Sequence, residues 1–321
     1  MRQAPPRPAA DYYIKNPGGI IVLLDSIVNF CNNEYQKVDT TRVCENCNHP
    51  KSCPKEDCKN CLNEVHFPYD HPDGKIEYDC MNMLNYYVCS FSYKYCSEIE
   101  YALSEIEHLN KYKEFNTMSI GCGGCPDLMA LEFFCKNNDL KKPILFNGYD
   151  KNELWKPVHR EIKKYCKDKN YKFNIQYVDV IKYFQNYYVS GINLLFLQYI
   201  ISYFYNTNQI KEVDIFFDDL VDSIVTKRNE GEHFAIVIND VNSCHRGRDH
   251  FHLLVDKLRE YDLHDIEIKK RYFDYGIRNI YQRYGEAYDS NYNLHEMPNV
   301  VREQYKPAIY CSSAQLIIEI K

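Results

Sequence analysis

Residues 117–134, TMSIGCGGCPDLMALEFF, combine a strand-like run, a glycine-rich loop and a helix-like segment. A short apolar run is followed by Gly121, Gly123 and Gly124, and then by a segment whose apolar residues have helical spacing. Glycine lets the backbone turn tightly and come close to a ligand. Pro126 suits the first turn of a helix. The pattern therefore predicts a strand, a tight glycine loop and a helix.

Short apolar runs alternate with helix-length segments from residue 115 to the end of the chain. This succession predicts an α/β fold with a largely parallel sheet and helices on both faces. We expect seven strands, within residues 117–120, 143–148, 174–178, 193–198, 234–239, 265–271 and 315–320. We expect helices within residues 18–35, 78–113, 126–136, 154–167, 180–188, 213–228 and 251–261. A long irregular stretch, 272–314, separates the last two strands, which are therefore expected to pair differently from the others.

Carboxylates follow the second and third of these strands, at Asp150 and Asp179. Ligands of open α/β sheets bind at the carboxyl ends of the strands. An acid after the second strand suits the ribose hydroxyls of a nucleoside cofactor, and Asp179 with Val180 suits the adenine. A glycine loop and two acids at one sheet edge together favour a nucleotide-like cofactor.

The ordered segments SIGCGGCPD, GYDKNELW, YVDVIKYF, INLLFLQYIISYF and HFAIVINDVNS resemble the motifs of class I S-adenosylmethionine-dependent methyltransferases. The resemblance covers residues 78–321 and implies a seven-stranded, Rossmann-like sheet that binds S-adenosylmethionine. Two positions depart from the family pattern, Ser119 where an acid is usual and Cys125 at the third glycine. The resemblance implies cofactor contacts by Gly121, Cys122, Gly123, Gly124, Asp150, Asp179, Val180 and Gln198.

Candidate catalytic residues are Tyr199, after the fourth strand, and Asp240 and His245, after the fifth. A histidine or carboxylate in such a place can act as a general base. The run Leu197 to Ile200 lacks the proline-containing tetrad of amino-directed DNA methyltransferases, and the Pro-Cys pair of cytosine-C5 enzymes is missing too. Neither of these two classes of DNA methyltransferase is therefore expected. RNA or protein is favoured as the acceptor over a small molecule, because of the cysteine-rich metal module described next.

A cysteine-rich segment, CENCNHPKSCPKEDCKNC, precedes this region. Two C-x-x-C pairs, Cys44 with Cys47 and Cys58 with Cys61, suit one tetrahedral zinc ion. Cys53 is an alternative ligand, and an iron–sulfur cluster is an alternative occupant. Residues 40–75 show no helical or strand period, so a structural metal is expected to hold them together.

Two other functions fit parts of the sequence. A methyltransferase-like fold without catalysis could serve as a zinc-binding scaffold or cofactor sensor, which the changes at Ser119 and Cys125 favour. A thioredoxin-like redox protein also carries C-x-x-C before a helix. That fold needs a proline opening a later strand near the thiols, and none is suitably placed here.

Composition sets broader limits. The chain has 321 residues and a formal net charge of −6, which gives no general attraction to nucleic acid or acidic membranes. Its start lacks the apolar core of a signal peptide, and its apolar runs are too short to span a bilayer. We expect a cytoplasmic protein with a disordered arm at 1–16, a helix and metal module at 17–77, and a methyltransferase-like domain at 78–321 capped by helical residues 78–113.

Overall fold

The computed structural model describes residues 22–37, 58–169, 171–229, 231–243, 245–261, 263, 265–274 and 283–321. The predicted arm, residues 1–16, lies outside the described residues, as do Cys44, Cys47 and Cys53. The division into an arm, a metal module and a methyltransferase-like domain stays a prediction.

One sheet organises the chain. Its strands are β1 (Phe115–Ile120), β2 (Ile144–Tyr149), β3 (Tyr171–Gln176), β4 (Leu194–Gln198), β5 (Phe234–Val241), β6 (Ile266–Tyr272), β7 (Glu286–Ala287) and β8 (Ser313–Ile320). They are ordered β3-β2-β1-β4-β5-β8-β6-β7. β8 runs antiparallel to β5 and β6, and every other neighbouring pair is parallel. The expected α/β class is confirmed, with an eighth, two-residue strand at one edge, and the last long strand does pair differently.

Ten α-helices occur in the described residues. They are α1 (Leu23–Gln36), α2 (Cys58–His66), α3 (Met81–Ser104), α4 (Pro126–Asn137), α5 (Lys156–Lys167), α6 (Val180–Phe184), α7 (Ile200–Asn206), α8 (Val213–Ser223), α9 (Phe251–Glu260) and α10 (Asn299–Tyr305). None of these helices is both long enough and apolar enough to cross a membrane. The sequence patterns did not predict α2, α7 or α10.

The helices cover both faces of the sheet because successive strand residues face opposite sides. In β4, Leu194 and Phe196 belong to the core beneath α1, α3, α4, α5 and α10. Leu195 and Leu197 belong to the core beneath α6, α7, α8 and α9. All four side chains are fully buried. Burial on both faces explains why this strand reads as a continuous apolar run.

The α2 helix corrects the expectation that residues 40–75 have no regular structure. Cys58 and Cys61 lie on this helix, and both side chains are buried. Leu62 and Val65 pack with Cys61 against Met83 of α3. The helix is little more than two turns long. Cysteines and polar residues separate its few apolar residues, so the sequence shows no helical period there.

Parallel pairing brings the ends of β1, β2 and β4 to one sheet edge. Ile120 of β1 pairs with Tyr149 of β2 on one side and with Leu197 of β4 on the other. The loops after these strands therefore emerge side by side, and the candidate site lies at these carboxyl ends of the strands.

Candidate functional site

A cavity of about 860 Å³ lies at the carboxyl ends of the parallel strands. Its walls come from the loops that follow β1, β2, β3 and β4, together with Tyr78 and Tyr87 near the start of α3. Six of the eight predicted cofactor residues line it: Gly121, Gly123, Asp150, Asp179, Val180 and Gln198. The sheet edge thus gathers residues that the sequence spreads over nearly eighty positions.

The glycine loop forms one wall of the cavity, and its backbone conformation explains why two of its positions are glycines. Gly121 has φ +65° and Gly123 has φ +47°, in the left-handed region that L side chains rarely adopt. A Cβ on Gly121 would lie 2.9 Å from Cδ1 of Ile200, and one on Gly123 would lie 3.5 Å from the ring of Trp155. Trp155 is buried and also lines the cavity.

The other predicted loop residues lie behind this wall. Cys122 and Gly124 are not among the cavity-lining residues, and Cys122 is buried. A Cβ on Gly124 would lie 3.2 Å from Val88 of α3. Cys125, at the position of the usual third glycine, has φ +58° and so adopts the backbone conformation that glycine would supply.

The thiols of Cys122 and Cys125 do not have the character of a redox pair. Burial raises the pKa of both thiols, and it raises that of Cys125 well above the ordinary value. Reactive cysteines instead have a lowered pKa and some exposure to solvent. The surroundings of the pair therefore oppose the thioredoxin-like alternative.

Asp150 joins the end of β2 to the glycine loop. One carboxylate oxygen accepts a hydrogen bond from the Gly123 amide at 2.9 Å, and the other accepts from the Asn152 amide at 2.8 Å. Burial raises the pKa of this carboxyl, and the two amide donors act in the opposite direction. A carboxylate has about four acceptor positions, so two remain for hydroxyl groups in the cavity.

Asp179 and Val180 lie where β3 passes into α6. The Asp179 carboxylate caps this helix by accepting a hydrogen bond from the Ile181 amide at 3.2 Å. Only one of its oxygens is engaged in that contact. Asp179 lines the cavity together with the buried Val180.

Gln198, at the end of β4, lines the cavity. Its Oε1 accepts a hydrogen bond from Nδ2 of Asn239 at 2.9 Å, which fixes the orientation of the amide. Its Nε2 is buried and has no hydrogen-bond partner among the described residues. A buried unpaired donor costs free energy, and a ligand carbonyl or carboxylate in the cavity would remove that cost.

Tyr199 is the one catalytic candidate that lines the cavity. It has φ +53°, in the turn between β4 and α7. Its hydroxyl donates a hydrogen bond to Oε2 of Glu98 at 2.8 Å and accepts one from Nζ of Lys94 at 3.0 Å. Its ring lies 4.5 Å, centroid to centroid, from that of Tyr95. The phenol is therefore held in a single orientation.

Glu98 is the centre of this network, although its side chain is fully buried in the middle of α3. Its carboxylate also accepts hydrogen bonds from Nδ2 of Asn239 and from the amides of Ser312 and Ser313. Lys94 lies one helical turn away, with 3.6 Å between its Nζ and Oε1. The sequence pointed to neither residue. The i, i+4 spacing of Lys94 and Glu98 on α3 was the available signal.

Asp240 and His245 do not line the cavity. The buried Asp240 carboxylate accepts hydrogen bonds from the Ile201 and Ser202 amides and so caps α7. Burial raises the pKa of Asp240 to about 6. His245 lies in an exposed turn, where its amide donates to Asp249.

The predicted zinc ligands are only partly described. Cys58 and Cys61 are buried on α2, whereas Cys44, Cys47 and Cys53 lie outside the described residues. The zinc site, and the alternative of an iron–sulfur cluster, therefore stay predictions.

The sequence matches no protein-family model and no curated protein. Solved structures with similar folds include a SAM-dependent methyltransferase from Archaeoglobus fulgidus, with 15% identity over 70% of this chain and 94% of that one and a TM-score of 0.38. A plantazolicin methyltransferase in complex with SAH has 15% identity over 83% and 96% of the two chains, with a TM-score of 0.37. A precorrin 8W decarboxylase from Methanobacterium thermoautotrophicum has 11% identity over 70% and 89%, with a TM-score of 0.36. Because the sequence identities and TM-scores are this low, the similarity assigns no functional role to any residue of this chain.

Proposed function

We propose that this chain is an S-adenosylmethionine-dependent methyltransferase. The observation that supports it most is the cavity at the carboxyl edge of the sheet, which gathers the glycine loop, Asp150, Asp179 and Gln198. These are the residues that the ordered motifs of the sequence connect with such a cofactor. A solvated strand-end acid or a tight turn would be common alone. Their convergence on one cavity is less readily explained without a ligand.

The residues present fit the cofactor in three respects. Gly121 and Gly123 leave backbone in the cavity wall, where a side chain would meet Ile200 or the ring of Trp155. Asp150 keeps acceptor positions for ribose hydroxyls beyond its two amide contacts. Gln198 supplies a donor without a partner among the described residues, suited to a carboxylate or an amide acceptor.

S-adenosylmethionine would supply an electrophilic methyl group, and the chain would bind and orient the acceptor. Tyr199 is the residue best placed for that work. Its side chain lines the cavity, and its hydrogen bonds to Glu98 and Lys94 hold the phenol in place. A methyl acceptor in the cavity could therefore be positioned against this ring.

The acceptor is proposed to be RNA or protein, with a small molecule as the alternative. The support is the cysteine-rich segment, because appended metal modules often contact macromolecules. That support is an analogy between domain arrangements rather than a contact in the structure.

A non-catalytic cofactor-binding scaffold is the second candidate. It is favoured by the surroundings of the catalytic candidates, since Asp240 caps a helix and His245 lies away from the cavity. Tyr199 is also engaged in a buried network that would serve stability without any catalysis.

Methyl transfer can be tested directly. The purified protein would be incubated with methyl-tritiated S-adenosylmethionine and with separate RNA, protein and small-molecule fractions from the source cells. Methyltransferase activity predicts label in one fraction, strongly reduced for Asp150→Ala. Binding of the cofactor without label in any fraction would favour the scaffold instead.

A further inference from the structure

Three buried side chains meet beneath the glycine loop, outside the cavity. Cys122 and Cys125 come from the loop, and His159 comes from α5. Their sulfur and nitrogen ligand atoms all lie within 4.8 Å of one another. Their exposed fractions are 2%, 0% and 4%. We propose that these three residues bind a zinc ion, at a site separate from the one predicted in the cysteine-rich segment.

The hydrogen bonds of His159 prepare one nitrogen for a metal. Nε2 lies 2.7 Å from the carbonyl oxygen of Gly123, and Nδ1 lies 2.8 Å from the hydroxyl of Tyr177. A carbonyl only accepts, so Nε2 carries the proton and Nδ1 keeps its lone pair. A histidine that binds metal through one nitrogen usually donates its other N–H to a carbonyl or carboxylate. The Gly123 carbonyl already fills that role.

The donor set suits zinc in softness and in charge. Two thiolates and one imidazole are ligands that zinc binds commonly. Two thiolates neutralise the charge of Zn²⁺, and a neutral imidazole adds none. A neutral complex therefore replaces two neutral thiols, so the buried site gains no net charge. Binding would release two protons, because thiolates rather than thiols are metal ligands.

Tyr177 contacts the nitrogen that would bind the metal. Its hydroxyl contacts Nδ1, and its side chain is only half-buried, unlike the three ligands. Rotation of the phenol would free Nδ1 for the metal. The phenol oxygen or a water molecule can supply the fourth ligand of a tetrahedral zinc ion.

A metal here would tie the loop after β1 to α5. In the described residues, a hydrogen bond from His159 to the Gly123 carbonyl contributes to this connection. Gly123 also lines the cavity, so the metal would stiffen one cavity wall without contacting the bound ligand.

Metal content tests the proposal independently of methyl transfer. The full chain would be loaded with zinc under reducing conditions, freed of excess metal and analysed by mass spectrometry. Cys125→Ser is expected to hold about one zinc ion per chain fewer than the unmodified protein. Cys135→Ser is the matched control, because Cys135 is buried on α4 but outside the cluster, and it should lose none. Equal zinc content in all three proteins would overturn the proposal.

A second measurement avoids substitution altogether, in case Cys125→Ser does not fold. The unmodified protein would be loaded with ¹¹³Cd, whose nucleus couples to the imidazole protons of a bound histidine. Coupling to the ring of His159 is expected. Saturation with cadmium without that coupling would overturn the proposal.

Discussion

The carboxylate of Asp150 accepts a hydrogen bond from the backbone amide of Gly123 at 2.9 Å. This contact joins the end of β2 to the loop after β1, and both residues line the cavity. Because the Asp150 carboxylate both lines the cavity and binds the glycine loop, substituting it tests the ligand site and the loop together.

Asp150→Ala should weaken binding of S-adenosylmethionine about tenfold to a hundredfold, because hydrogen bonds to a charged group contribute about 1.5–3 kcal/mol. Titration calorimetry would measure this change. Asp139→Ala is the control, since Asp139 is 86% exposed and lies at the far end of α4. Equal affinities of the two variants would show that the ribose site is misplaced.

Gly121→Ala should lower both the free energy of unfolding and the cofactor affinity. The left-handed conformation costs an L residue about 1–2 kcal/mol, and the added Cβ would press on Ile200 at the cavity wall. Gly231→Ala separates the two effects. Gly231 has φ +75° but nothing within 4 Å of the added Cβ. Urea denaturation should show that Gly121→Ala is the less stable variant, and only Gly121→Ala should lose affinity.

Tyr199→Phe should lower the free energy of unfolding by about 1–3 kcal/mol, because it removes one hydrogen bond from the buried Glu98 and one from Lys94. Tyr188→Phe, at a side chain that is 68% exposed, should change it little. Chemical denaturation measures both variants. A Tyr199→Phe protein as stable as the Tyr188→Phe control would contradict the role of this network.

Asp240→Asn should change how stability depends on pH. Burial raises the pKa of the folded carboxyl from 3.8 to about 6. The associated stability is present below pH 3.8 and is lost as the pH rises through 6, because ionisation is less favourable in the folded state. The loss corresponds to about 3 kcal/mol. As the pH rises from 4 to 8, the free energy of unfolding of the variant should therefore increase by about this much relative to that of the unmodified protein. If the two proteins give parallel curves of unfolding free energy against pH, the raised pKa of Asp240 is contradicted.

The core of the fold followed from the sequence because its signals are local. The strand, glycine loop and helix around Gly121 follow one another directly, and the acids at Asp150 and Asp179 mark the ends of the next two strands. The seven predicted strands are all found, with shifted boundaries. The antiparallel β8 followed only indirectly, from the length of the connection before it.

Other features depend on residues that are distant in sequence. Glu98 is satisfied by donors from the turn after β4, from β5 and from the start of β8, which no local pattern can reveal. The α7 helix follows β4 after one residue, so the two share a single apolar run. His159 reaches Cys122 and Cys125 only because α5 packs beneath the glycine loop.

Titration calorimetry of the full, folded and metal-loaded chain with S-adenosylmethionine and with its demethylated product tests the central proposal most directly. We predict saturable binding of both ligands at one site per chain, weakened by Asp150→Ala. Absence of binding by either ligand would contradict the assignment of the cavity and the proposed methyltransferase function.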